Sequence, residues 1–184
     1  MYDYFQKTPL DETFYTRFLK DRLPARLIDA HAHYDLPEHV KNVTAEAIAG
    51  DWALECGLLM SYEDACAYYR TLLPDTGVYK VALPWPLRDV DTHANNAYVS
   101  RLTEHAEVRS LLTTRPEYDT ALVERTFRNG RFSGFKPYPY MASATKGAEV
   151  SIFEFFTHEQ FALANKLGAP VLMHLPRAGR LPAP

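Results

Sequence analysis

The sequence predicts an α/β fold in which parallel strands alternate with helices, and three observations carry that prediction. Short apolar runs recur along the 184 residues, separated by stretches with helical spacing of apolar positions. Stop signals stand at Asn129-Gly130 and at Leu167-Gly168-Ala169-Pro170, where helices should end. The polar residues that interrupt the pattern gather just after the apolar runs, where sites are built in parallel α/β architectures.

Residues 1–25 read as an N-terminal extension, and the alternating pattern begins at Arg26. The strands are expected at Leu27 to Asp29, Val78 to Leu83, Val108 to Thr113, Phe132 to Lys136 and Val171 to His174. Between them, Thr44 to Leu54 opens with a Thr N-cap and Glu46, and Tyr62 to Leu73 carries apolar residues at helical spacing. Tyr68 and Tyr69 fit the core face of that helix. Helices follow at Thr92 to His105, Tyr118 to Asn129 and Ile152 to Leu167. The first crossover, from His33 to Val78, is long enough for two helices. Strands that alternate with helices in this way argue for βαβ units and a parallel sheet.

Composition narrows the function classes. With 47% hydrophobic residues and interspersed charges summing to −3, the chain reads as one globular domain without a nucleic-acid or membrane-surface partner. No run approaches the roughly 18 apolar residues of a spanning helix, and the N-terminus lacks a secretory pattern. Cys56 and Cys66 have no C-x-x-C spacing and are expected reduced, which suits a cytoplasmic protein. No G-x-G-x-x-G follows a strand, which argues against a dinucleotide binder.

The chemistry-bearing residues start at Asp29-Ala30-His31-Ala32-His33. On a regular strand Asp29, His31 and His33 share a face. Two imidazoles side by side suit zinc, iron or nickel, and the carboxylate would orient one ring. The bland alternative is a chance pair on an exposed edge. His174 ends a second apolar strand and is the third candidate ligand, although a lone strand-end histidine is more often structural. Trp85 between two prolines reads as a hydrophobic cap or a pocket wall. Arg115 either pairs with a carboxylate such as Asp29 or binds an anionic substrate group. Lys136 is a buried cation paired with an acid, a contact for a substrate carboxylate or, if modified by carbon dioxide, a bridging metal ligand. Tyr138 and Tyr140 line a pocket or pack, and Arg177 binds substrate or faces solvent. His39, His93, His105 and His158 are expected at the surface.

Leu27 to His33 resembles the first-strand metal motif of the amidohydrolase superfamily, and most closely its amidohydrolase 2 (amidohydrolase-related) branch. Gly134-Phe135-Lys136-Pro137 is similar to that branch's fourth-strand segment, and Val171-Leu172-Met173-His174 to its fifth-strand histidine. The likeness runs from about Arg26 to Arg177. It implies a parallel (β/α) TIM-barrel type of fold, with about five of eight βα units in residues 26–184 and the barrel incomplete. It also implies a metal-dependent hydrolase: a divalent ion, zinc by preference, held by His31, His33 and His174, and metal-activated water attacking an amide, ester or lactone. His174 would be catalytic as well as a ligand. Trp85, Arg115, Lys136, Tyr138 and Arg177 would bind a small, carboxylate-bearing substrate, with Asp29 behind the ligands.

The family also uses a histidine after strand six and an aspartate after strand eight, the latter as ligand and base. The sequence stops at Pro184, ten residues after His174, before either is expected. The chain by itself is therefore expected to be weakly active or inactive, and to be an oligomer or to need a complementing chain for its open strand edges. The alternatives are a metal-dependent decarboxylase of an aromatic or unsaturated acid and a non-catalytic truncated fragment.

Overall fold

The computed structural model describes residues 6–40, 44–46, 59–87, 89–142 and 150–175. Helix α1 spans Pro9–Phe14 and runs into a wider turn over Tyr15–Leu19. Strand β1 (Arg26–His33) follows, then α2 (Tyr62–Leu72), β2 (Gly77–Leu83), α3 (Thr92–Arg101), β3 (Val108–Leu112), α4 (Thr120–Asn129) and β4 (Gly134–Phe135). Two further helices close the described chain, α5 (Ile152–Phe155) and α6 (His158–Leu167). The strands form one parallel four-stranded sheet in the order β1-β2-β3-β4, as alternation with helices requires. The α/β class and the parallel sheet are thus as expected.

The fifth expected strand is reduced to a single parallel bridge between Val171 and Phe135. Its approach explains Gly134: a Cβ there would lie 2.6 Å from the Pro170 carbonyl oxygen. The expected helix over Ile152 to Leu167 is two helices, because Phe156 is extended and Thr157 caps a new start by accepting from the Gln160 amide. Most of the helix expected over Thr44 to Leu54, together with Cys56, lies outside the described residues. The extension at residues 1–25 contains a helix that spacing did not reveal. Its signature is the capping box Thr8 to Asp11 with Pro9 at the first helical position, and Tyr15 anchors it by donating to Asp75 at 2.9 Å.

One face of the sheet is covered by helices. Ala82, Val108, Leu112 and Phe135 are buried there with Val99, Val123 and Leu163, and the Phe135 ring stacks on Phe127 at 4.9 Å. Burying one such aromatic ring contributes roughly 1.5–3 kcal/mol. On the other face, among the described residues, Ile28 on β1 is 71% exposed and Leu172 is 37% exposed, while Leu83 and Leu111 are buried. No described helix is long and apolar enough to cross a membrane.

Candidate functional site

A bulge shapes the end of β1. Asp29 pairs with Lys80 but Ala32 pairs with Ala82, so three steps on β1 oppose two on β2. The regular alternation expected for Asp29, His31 and His33 therefore breaks. Asp29 turns to the helix side, where it accepts from the Tyr69 hydroxyl of α2, and its other oxygen accepts from the His31 amide at 2.9 Å. The expected role of Asp29 behind an imidazole is corrected: this carboxylate holds the bulged backbone.

The two histidines remain together beyond the bulge, with ring centroids 5.2 Å apart. His33 Nδ1 lies 3.0 Å from the Pro84 carbonyl oxygen. A carbonyl only accepts, so Nδ1 carries the proton and the neutral ring keeps its lone pair on Nε2. Burial pushes the His33 pKa down to about 4, helped by His31, Lys136 and His174 and opposed by the Pro84 bond. Burial also lowers His31, with Lys136 acting in the same direction and Asp29 against it. Both rings are therefore neutral donors at neutral pH.

Around them stand side chains from other strand ends. Trp85, just past β2, meets the His33 ring edge-on at 5.7 Å. Tyr138, past β4, lies 6.2 Å from the His33 ring and 5.7 Å from the His174 ring, and Tyr140 lies 6.2 Å from His174. The Tyr138 hydroxyl donates to the same Pro84 carbonyl at 3.2 Å. Lys136 is buried with its ammonium 5.2 Å from the centre of the Tyr138 ring. Among the described residues no acid pairs with it, and burial pushes its pKa down to about 8. His31, His33, Trp85, Lys136, Tyr138 and His174 thus stand near one another at this end of the sheet. Tyr138 is in ring contact with both His33 and His174, and among the described residues no group of three or more His, Cys, Asp and Glu side chains converges to hold a metal ion.

Arg115 has a different place. Its Nε and one terminal nitrogen donate to Thr92 Oγ1 at 3.1 and 2.7 Å, and that nitrogen also donates to the Val90 carbonyl at 3.2 Å. It braces the start of α3, and its expected partner Asp29 is held elsewhere. Arg177 lies outside the described residues.

Three residues escaped the sequence reading. His39, expected at the surface, is buried and its Nδ1 lies 2.6 Å from Asp35 Oδ1. The i, i+4 spacing of Asp35 and His39 was its available signal. His93, His105 and His158 are exposed as expected, stacked on Tyr118, Tyr62 and Phe153. The other two are Asn95 and Asn96, both buried in α3. Asn96 binds both backbone groups of Thr113 at the end of β3, at 2.8 and 3.1 Å. Asn95 accepts from the Trp85 amide at 2.6 Å and donates to the Tyr34 carbonyl at 3.0 Å. Consecutive asparagines inside a helix are poor helix formers, and that mismatch signals a tertiary task.

No protein-family model, no curated protein and no solved structure matches the chain.

Proposed function

We propose that this chain carries the metal-binding and substrate-binding strand ends of a metal-dependent hydrolase of the amidohydrolase type. The observation that supports the reading best is the state of His33. Its Nδ1 donates to Pro84 and leaves Nε2 as a lone pair, beside a second neutral imidazole 5.2 Å away. Neutral imidazoles with one nitrogen fixed by a backbone carbonyl suit a divalent ion such as zinc, so His31 and His33 fit as a ligand pair. His174, whose ring lies 5.7 Å from that of Tyr138 and whose charge is felt at His33, is the third candidate ligand.

When bound, the ion would lower the pKa of a coordinated water to about 7 and polarise a carbonyl. The chain's own residues do the remaining work. Lys136, buried without an acid among the described residues, would orient a substrate carboxylate. Tyr138 and Trp85 would wall the site and exclude water from it. The proton of the attacking water needs a base, for which His174, beside Tyr138, is the candidate among the described residues. Without a stronger base the reaction would lose about 10²–10⁴ in rate, so turnover by this chain is expected to be weak.

Lys136, with no acid partner among the described residues, also suits a decarboxylase acting on a carboxylic acid, and one experiment separates the two readings. The zinc-loaded chain is given an aryl ester bearing a free carboxylate, and in parallel an aromatic acid. Slow zinc-dependent ester hydrolysis, lost in His33→Ala and weakened in Lys136→Met, is expected. Carbon dioxide release without ester hydrolysis would replace the hydrolase reading, and no zinc dependence in either assay would end both.

A further inference from the structure

The peptide unit between Pro84 and Trp85 is held at both ends. Its N–H, which belongs to Trp85, donates to Asn95 Oδ1 at 2.6 Å. Its C=O, which belongs to Pro84, accepts from His33 Nδ1 at 3.0 Å and from the Tyr138 hydroxyl at 3.2 Å. In a trans peptide these two groups point in opposite directions across a rigid plane. Fixing the N–H on one side therefore aims the carbonyl on the other.

Pro84 has no amide hydrogen to anchor it, and the peptide lies beyond the last residue of β2, where the strand ladder no longer sets its rotation. Asn95 is fully buried on α3, so its amide cannot swing away to solvent. Its other group, Nδ2, donates to the Tyr34 carbonyl at 3.0 Å, on the residue that follows His33. One side chain thus ties the ends of β1 and β2 together on either side of the His33 ring.

We propose that Asn95 is the positioning residue of this site: by holding the Pro84–Trp85 peptide it fixes His33 as the Nδ1–H tautomer and aims Nε2 outward. The inference rests on the proposed metal site only for its consequence, since the tautomer of His33 exists with or without an ion. Asn95 touches neither His31 nor His33; its Oδ1 acts through the Pro84–Trp85 peptide, while its Nδ2, on the Tyr34 carbonyl and 3.3 Å from His39 Nδ1, holds the side chain in place. With its Oδ1 gone, the Trp85 amide loses its acceptor in a buried place, and the peptide turns to find another. The Pro84 carbonyl then leaves His33 Nδ1, and either ring nitrogen can carry the proton.

The test compares three variants with the native chain. Asn95→Ala removes the acceptor, Asn95→Asp keeps an oxygen at the same place, and Val123→Ala perturbs the core under α4 away from the site as a control for general destabilisation. The readouts are the ¹⁵N spectrum of the His33 ring in metal-free protein and the zinc affinity of the same samples. Native protein and Val123→Ala should both show the single Nδ1–H form. Asn95→Ala should show a mixture of tautomers and bind zinc about 10–100-fold more weakly, the usual effect of losing an outer partner of a metal ligand. Asn95→Asp should restore the Nδ1–H form. A native tautomer in Asn95→Ala would overturn the proposal. If Asn95→Ala does not fold, Asn95→Asp decides it, because a shifted tautomer there would also overturn it. Native protein that shows the Nδ1–H form but takes up no zinc would count against the metal site and leave the role of Asn95 standing.

Discussion

Lys136 lies buried beside an aromatic ring with no acid to neutralise it among the described residues, and its pKa falls to about 8 for that reason. The folded chain therefore binds fewer protons at this site than the unfolded chain between pH 8 and the ordinary lysine value of 10.5. Stability from this group rises with pH across that window, and below pH 8 the full cost of burial is present. Lys136→Met should remove the cost, stabilising the chain at pH 7 by on the order of 1–3 kcal/mol while weakening substrate binding. Urea unfolding at pH 7 and pH 9.5 checks this: the gain should shrink at the higher pH. An unchanged or lowered midpoint at pH 7 would contradict it. That Lys136 stands at the site was legible from its place after an apolar run; that it stands without an acid was not, because sequence gives no count of neighbours. Asp29 is the complementary case. Its spacing from His31 implied a shared face, and the bulge that reverses it leaves no mark in a run of small residues.

Glycines mark where elements meet. Gly134 must remain without a side chain because the Pro170 carbonyl oxygen would sit 2.6 Å from its Cβ, on the route of the Val171 bridge. Gly168 closes α6 in the left-handed region at φ 61, with open space around it. The two should respond differently to alanine. Gly168→Ala should cost about 1–2 kcal/mol, the backbone penalty alone. Gly134→Ala should cost more, since a packed backbone has to move as well. Thermal unfolding of both variants tests the order, and a larger loss at Gly168 would contradict it. The helix stop at Gly168 was readable from sequence. The other stop, Asn129-Gly130, was readable only as a position: Gly130 has φ −83, and Arg131 takes the positive φ of 54 instead. Gly130 is small for a different reason, because a Cβ there would meet the Phe132 ring at 2.3 Å. Element types followed from periodicity; such contacts depend on the fold around them.

Over the described residues, the parallel sheet has one face covered by helices and another on which Ile28 of β1 is exposed, and the site forms at one end where β1, β2 and β4 finish. The parallel pairing of the strands and the polar residues at their ends were legible, because short strands joined through helices leave few other arrangements. Barrel closure was an inference from resemblance, and four paired strands neither require nor forbid it. Ile28 reports on this directly. At 71% exposure it should tolerate Ile28→Ser within about 0.5 kcal/mol. A loss of several kcal/mol would mean that another part of the protein, or a second chain, covers Ile28. The central claim is that His31 and His33 together hold a metal ion. Zinc titration of the metal-free chain by calorimetry, with the His31→Ala/His33→Ala double variant beside it, tests that claim most directly. The account predicts a saturable zinc site in the native chain that the double variant lacks. Equal affinity and stoichiometry in the two proteins would contradict it.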